Sequence, residues 1–197
     1  MTATRGRPRS EKARLAILAA AGELMFAGGM PAATMEAIAA RAGVSKATIY
    51  KWWPNRNAVA LDGFLAHVRD AISIPSELDL RDQLIFQIDA LLHVFRDTEG
   101  GPQYRALLGQ AMSDEELATA LQERWLAPRR AVVADLLHRA VAAGLIRPGT
   151  DLELVADQLF APLYHRLLYA HQPLTDDLAR HIVDQLLDGI ATAPQNN

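Results

Sequence analysis

A glycine turn is followed at once by side chains that could bind nucleic acid. Lys46, Thr48, Tyr50 and Lys51 come shortly after Gly43 and fall on the outward side of a short helical stretch. Long cationic side chains and hydroxyl groups suit DNA phosphates and the base edges of a major groove. Such contacts need a rigid element that holds the side chains outward. The residues on either side of the turn must therefore form helices if these side chains are to bind DNA.

Residues 34–50 have the pattern of two short helices that meet at this turn. Thr34 and Ser45 are good N-caps, and Gly43 supplies the backbone angle that a tight turn requires. Val44 and Ile49 are placed to fill the space between the helices. The pattern predicts a helix-turn-helix. A helical hairpin with a glycine turn and no DNA-binding role is the alternative that spacing alone leaves open.

The charge distribution favours a polyanionic partner at the N-terminal end. Residues 1–57 hold nine basic and three acidic side chains, a difference of +6, whereas the other 140 residues hold 11 basic and 20 acidic ones, or −9. A basic end on an acidic body indicates a contact confined to that end, and a solvated basic tail is the alternative. The 197 residues include no cysteine, which excludes disulfides, thiolate zinc sites and cysteine nucleophiles.

Residues 15–65 resemble the DNA-binding domain of the tetracycline-repressor (TetR) family. The resemblance rests on an apolar first helix with Phe26 and Gly29, and on a series of matching positions further along. These positions are Thr34, Ile38, Ala39, Ala42, Gly43, Val44, Ser45, Lys46, Ala47, Thr48, Ile49, Tyr50, Trp53 and Pro54. One departure is Asn55-Arg56-Asn57, where the family often has Ser-Lys-Glu, although arginine keeps the positive charge.

The resemblance implies a DNA-binding role for individual residues. Thr34, together with the N-terminus of its helix, would hold a phosphate, and Ser45 and Tyr50 would touch the DNA backbone. Arg56 would reach a phosphate from the start of the next helix. The side chains implied to face the bases are Lys46, Ala47, Thr48, Lys51 and Trp52.

Trp52 and the N-terminal arm each have two interpretations. Trp52 suits either a contact at the groove edge or partial packing. Residues 1–9 are expected to be a flexible basic arm, and Arg5-Gly6-Arg7-Pro8 resembles the core of an AT-hook, in which Arg5 and Arg7 would enter a narrow minor groove. A tail that adds only unspecific attraction is the alternative, and an arm with some A/T preference is favoured.

Apolar residues recur at helical spacing along nearly the whole chain. The sequence predicts an all-α protein with an N-terminal three-helix helix-turn-helix domain at 10–56. A helix at 55–73 links it to a C-terminal helical ligand-binding and dimerisation domain at 57–197. Residues 99–102 are expected to form a loop, Ser113 and Glu116 have the spacing of a capping box, and Pro128 should kink or split its helix.

The resemblance also implies dimerisation and a ligand pocket in the C-terminal domain. Helices expected at 151–170 and 175–191 would pair with their copies in a homodimer, although packing within one chain explains the same apolar stripes. The pocket candidates are apolar and aromatic, which favours a hydrophobic or amphipathic effector, and each of them would also fit a core. They are Phe95, Tyr104, Met112, Trp125, Phe160 and Tyr164.

We therefore expect a ligand-responsive DNA-binding transcriptional regulator, most simply a repressor that binds a palindromic operator as a dimer. A helical ligand-binding or scaffold protein that no longer binds DNA is the alternative. Asp177 and His181 are spaced like a helical ion pair and no catalytic motif is present, so no enzyme activity, metal or cofactor is expected. Acidic residues are expected to interrupt every apolar run before it could span a bilayer, which favours a cytoplasmic protein without a membrane contact.

Overall fold

The computed structural model describes residues 7–68 and 78–190, with side chains from Ser10 onward. These residues form helices and turns without a β-strand, which confirms the predicted all-α class. The helices are α1 (Arg7–Ala32), α2 (Met35–Ala42), α3 (Lys46–Ile49), α4 (Arg56–Val68), α5 (Leu80–Leu92), α6 (Gly100–Ala111), α7 (Glu115–Leu121), α8 (Ala127–Ala142), α9 (Leu152–Tyr169) and α10 (Leu178–Ile190). Two π-helical turns, His93–Asp97 and Gln122–Leu126, continue α5 and α7.

The helices divide into two compact units. The first combines Met1–Asp70 with Thr98–Gln122, and the second combines Ala71–Asp97 with Glu123–Asn197. The first unit therefore contains α6 and α7 in addition to the predicted DNA-binding segment 10–56. The predicted boundary follows the order of the chain, whereas the units follow packing, so the segment 57–197 contributes helices to both.

Helices α1 and α4 form the centre of the first unit because two glycines let them approach closely. A Cβ atom at Gly63 would lie 2.7 Å from the backbone nitrogen of Gly22, and one at Gly22 would lie 2.8 Å from the carbonyl oxygen of Gly63. Ile17, Met25 and Phe64 are fully buried in this unit. Helix α2 also packs on α1. The helix-turn-helix is therefore attached to a closely packed pair of helices, α1 and α4.

The first helix differs from the sequence expectation in two respects. It begins at Arg7, so residues 7–9 of the predicted arm have a helical backbone, and Pro8 is tolerated because the first turn needs no amide hydrogen from it. Ser10–Ala32 is long and apolar enough to cross a membrane by length and composition, so acidic residues do not interrupt every apolar run. Ile17 and Ala21 of this helix are fully buried inside the protein, as in the core helix of a globular domain.

The boundaries around α6 and α7 also differ from the sequence expectation. Helix α6 begins at Gly100, so residues 100–102 form its first turn and not a loop. Asp114, and not Ser113, caps α7, because its Oδ1 accepts a hydrogen bond from the amide of Leu117 at 3.0 Å. Ser113 instead donates through Oγ to the carbonyl of Gln110. A carboxylate gains more than a hydroxyl from the positive end of a helix.

Pro128 follows a change of helix type, and the structure shows no interruption of the helical backbone at the kink or split that the sequence predicts. The chain leaves regular α-helix in the turn Gln122–Leu126, and α8 then begins with Pro128 in its first turn, where the ring is tolerated. Helix α9 instead runs through Pro162 as one element. In the second unit α5 packs on α8, α9 and α10, and Arg81 of α5 forms a bidentate pair with Asp184 of α10 at 2.7 and 2.9 Å.

Candidate nucleic-acid interface

Two side-chain caps and one glycine build the helix-turn-helix. Thr34 Oγ1 accepts a hydrogen bond from the amide of Ala37 at 3.1 Å, and Ser45 Oγ accepts one from the amide of Thr48 at 3.3 Å. Gly43 ends α2 at φ 66°, a left-handed angle that favours glycine. The predicted caps of α2 and α3 and the predicted glycine turn are therefore confirmed.

Helix α3 and the residues after it present one side to the core and the other to solvent. Ile49 is fully buried, and so is nearly all of Trp53, whose Nε1 donates to Asp62 Oδ2 at 2.7 Å. Thr48 is half-buried, and the exposed side chains are Lys46, Ala47, Tyr50 and Lys51. Cations, hydroxyls and a methyl group thus share one surface, and a major groove can accommodate such a helix.

Two polar contacts order the outward side chains. Lys46 Nζ lies 2.6 Å from Glu36 Oε1 of α2, and the hydroxyl oxygens of Ser45 and Thr48 lie 2.9 Å apart. The hydrogen bond between Glu36 and Lys46 lowers the pKa of Glu36 and raises the pKa of Lys46, so both side chains stay charged. Helical periodicity could not reveal this pair because the turn between the helices brings the two residues together.

The other implied DNA contacts flank α3. Trp52 is half-buried, and its ring centroid lies 5.9 Å from that of Trp53, so Trp52 is partly packed and partly accessible. Arg56 is the first residue of α4. Arg5 lies outside the described residues. Arg7 begins α1, and a helical backbone there differs from the extended arm that the AT-hook resemblance implies.

Three of the predicted effector contacts meet in the second unit. The ring centroid of Phe95 lies 6.3 Å from that of Trp125 and 5.7 Å from that of Tyr164, and Trp125 Nε1 donates to the Tyr164 hydroxyl at 3.1 Å. Phe95 and Trp125 each lie in a π-helical turn, a feature that is frequent at functional sites. The sequence did not single out Arg129, whose guanidinium carbon lies 3.4 Å from the centre of the Trp125 ring.

The other three pocket candidates are placed differently. Phe160 is buried in α9 of the second unit. Tyr104 is buried in the first unit, where its ring centroid lies 6.1 Å from that of Phe64. Met112 follows α6 and is 89% exposed, which does not suit the wall of an enclosed pocket. Tyr104 and Met112 thus belong to the first unit, and the other four candidates belong to the second.

Comparison with known proteins covers both the helix-turn-helix and the remaining helices. Residues 17–62 match the family model of bacterial regulatory proteins of the tetR family, and residues 74–186 match that of the tetracyclin repressor-like C-terminal domain. The uncharacterized HTH-type transcriptional regulator YdeS of Bacillus subtilis is 35% identical over 96% of both chains. The DNA-binding transcriptional repressor TetR of Mycobacteroides abscessus is 30% identical over 91% of this chain and 94% of its own.

A solved structure supports the same assignment. The crystal structure of the TetR family transcription regulator SCO0332 has a TM-score of 0.81 and 40% identity, and the match covers 93% of this chain and 100% of that one. Sequence identity and fold thus agree over nearly the whole chain. The protein therefore belongs to the TetR family and is a DNA-binding transcriptional regulator.

Proposed function

We propose that the protein is a cytoplasmic dimeric repressor that binds a palindromic operator and is released from it by a small hydrophobic or amphipathic effector. The observation that carries the DNA-binding part is the outward surface of α3 and the residues after it, where Lys46, Thr48, Tyr50 and Lys51 lie together. A single small helix-turn-helix makes few contacts, and two of them on one palindrome bind far more tightly than either alone.

Each outward side chain has a role that its chemistry supports. Lys46 and Lys51 can donate to phosphates or to guanine, and the Thr48 hydroxyl can donate to or accept from a base edge. Ala47 offers a methyl group to thymine. Tyr50, which is 55% exposed, has a phenolic hydroxyl that suits the DNA backbone. Thr34 and Ser45 lie at helix N-termini and Arg56 begins α4, which supports assigning phosphate contacts to these three residues.

The dimer interface that we propose lies on α9 and α10. Exposed residues of α9 recur with alternating spacings of four and three, which gives one seam along the helix. The seam consists of Leu154, Gln158, Ala161, His165 and Leu168. Leu154 and Leu168 are 52% and 43% exposed, so the seam presents apolar side chains to solvent. A second copy of the chain is the occupant that the proposal assigns to it.

The effector site that we propose is centred on Phe95, Trp125 and Tyr164. Aromatic rings would contact an apolar body, while the Tyr164 hydroxyl and the Arg129 guanidinium beside Trp125 supply polarity. Gln87, about two helical turns before Phe95, is buried, and its Nε2 has no hydrogen-bond partner among the described residues. A buried donor of this kind would be satisfied by an oxygen atom of an effector.

Selection of bound sequences from a pool of random duplexes tests the DNA-binding part. The proposal predicts enrichment of a palindrome whose half-sites are separated by about one helical turn or a multiple of it. Enrichment of single half-sites would contradict dimeric binding, and enrichment of no sequence would contradict specific reading.

The fluorescent amphiphile anilinonaphthalene sulfonate tests the effector part. It should bind the protein, and excess amphiphile should release the selected duplex. Both amphiphile binding and release of the duplex should weaken in Trp125→Leu. Trp52→Leu is the control and should bind the amphiphile as wild type does. Equal amphiphile binding by wild type and Trp125→Leu would place the effector elsewhere.

The contact between Asp177 and His181 gives no support to an enzyme function. Asp177 Oδ2 lies 3.6 Å from His181 Nδ1 and both side chains are exposed, which is an ordinary surface contact between residues four apart. Within 10–68 and 78–190, no three histidine, aspartate or glutamate side chains group in a way that could hold a metal. The proposal therefore assigns His181 to the surface of α10 and Asp177 to the turn before it, and gives neither a catalytic role.

A further inference from the structure

The first turn of α4 is tied to the first turn of α7 by two hydrogen bonds. Asn57 Nδ2 donates to Asp114 Oδ2 at 2.5 Å, and Asn55 Nδ2 donates to Glu116 Oε2 at 3.2 Å. All four residues belong to the same compact unit, although about sixty residues separate the partners along the chain. Two helix N-termini thus meet through paired amide and carboxylate side chains.

The same side chains also cap the two helices. Asn55 Oδ1 accepts a hydrogen bond from the amide of Ala58 at 2.9 Å, so Asn55 caps α4 while its amide reaches Glu116. Asp114 caps α7 through Oδ1 while its other oxygen accepts from Asn57. Hydrogen bonds from the Leu117 amide and then from Asn57 lower the pKa of Asp114, so the carboxylate is charged at neutral pH. Because each cap is also a cross-helix contact, the start of α4 is fixed by α7.

Arg56 lies between Asn55 and Asn57, at the first position of α4. Its backbone is therefore held on both sides by the contacts to α7. Phosphate contacts set the register of a protein on DNA, and they require the donor to be held where the phosphate will lie. The contacts of α7 act on this residue even though Asp114 and Glu116 lie outside the family-matched DNA-binding segment 17–62.

We infer that Asp114 and Glu116 are positioning residues for DNA binding, because they hold the first turn of α4 and with it the phosphate contact of Arg56. The inference rests on the proposed function of Arg56. It extends the functional DNA-binding unit to the first turn of α7. Neither carboxylate touches DNA, and both act through the side-chain amides of Asn55 and Asn57.

An exchange of partners tests the inference. Asn57→Asp places two carboxylates against each other and should weaken binding of the selected duplex by roughly tenfold, the scale of one charge-assisted hydrogen bond. Adding Asp114→Asn restores the pair with donor and acceptor exchanged, and asparagine still caps α7. The double variant should therefore bind within about twofold of wild type, a twofold difference being small beside one hydrogen bond.

Asn57→Asp with Glu115→Gln is the matched control. It carries the same net charge as the rescued double variant and removes an acid from the same turn of α7, but it leaves Asp114 opposite the carboxylate introduced in α4. It should stay as weak as Asn57→Asp alone. Equal rescue by both double variants would show that only the local charge matters and would overturn the inference.

Hydrogen exchange provides a readout that does not depend on DNA. The amides of Ala58 and Val59 should exchange faster in Asn57→Asp and return to the wild-type rate in the Asn57→Asp, Asp114→Asn variant. Wild-type exchange in Asn57→Asp would overturn the positioning role whether or not any duplex is bound. If the exchange rates change as expected but the wild-type protein enriches no sequence from the random pool, the result would instead contradict the proposed function.

Discussion

Lys46 Nζ lies 2.6 Å from Glu36 Oε1, so the first residue of α3 is paired with a carboxylate of α2. Both side chains are more than half exposed, and a phosphate can compete with Glu36 for the ammonium group. An exposed ion pair contributes little to stability, so its loss should leave the fold intact. Loss of the pair should affect DNA binding more than stability, because Glu36 neutralises the charge of Lys46, which would otherwise be available to a phosphate.

Glu36→Gln should therefore tighten binding to every duplex by roughly two- to fivefold, the range of an exposed ion pair. The slope of log K against log salt should become steeper by up to about one, because Lys46 then enters the complex as an uncompensated cation. Both effects should disappear in a Lys46→Gln background. Fluorescence anisotropy over a salt series measures them.

Glu23→Gln is the control for Glu36→Gln. It removes the same charge from another exposed pair of the first unit, in which Glu23 and Arg41 lie 2.9 Å apart, and it should change DNA affinity much less. Weaker binding by Glu36→Gln would mean that Glu36 orients Lys46 and does not compete with DNA for it.

Thr48→Ala should relax base preference and keep most of the salt dependence. The Thr48 hydroxyl lies 2.9 Å from that of Ser45 and is held at the side of α3 that would face the groove. Loss of one base contact typically costs about tenfold in discrimination at a single position. Competition between the selected duplex and its single-base variants measures this loss. Thr119→Ala, an exposed threonine on α7, should change nothing, and unaltered specificity in Thr48→Ala would move the reading role to other residues.

Arg56→Ala should weaken binding to selected and scrambled duplexes alike. A phosphate contact carries no sequence information, so the salt slope should fall by about one while the ratio of the two affinities stays constant. Arg105→Ala removes the same charge from an exposed position of α6 in the same unit and serves as the control. A loss confined to the selected duplex would show that Arg56 reads bases.

Leu168→Glu should convert the dimer to monomers. Leu168 is 43% exposed, so a charge there is tolerated in one chain but would be buried in the proposed α9 seam. Val132→Glu on α8 starts from a similar exposure of 40% and should remain dimeric. Light scattering distinguishes the two states, and a dimeric Leu168→Glu protein would remove this part of α9 from the interface.

The helix-turn-helix could be predicted closely because local chemistry specifies it. Thr34 and Ser45 cap helices within three residues of their own positions, and Gly43 is required by its own backbone angle. Such features depend on neighbours in the sequence, which a linear pattern records. The family resemblance rested on the same residues, and the match to residues 17–62 confirmed it.

Contacts between distant residues could not be predicted in the same way. No periodicity links Asn57 to Asp114, and the nearby Ser113 obscured Asp114 as the cap of α7. Tyr104 and Met112 are pocket candidates because of the aromatic and apolar character of their side chains, which does not show which unit they pack in. Both residues fall in the first unit, Tyr104 within α6 and Met112 just after it, and only the three-dimensional fold shows which helices share a core.

Sequence-selective DNA binding through the outward residues of α3 is the function on which the other DNA-binding predictions depend. Fluorescence anisotropy tests it most directly, with purified protein, DNA from just upstream of its own gene, and a scrambled duplex over a salt series. We expect affinity for the upstream duplex to exceed that for the scrambled one by at least about a thousandfold, with a steep salt slope for both. Equal and weak binding to both duplexes, repeated with fragments that cover the whole genome, would contradict the claim.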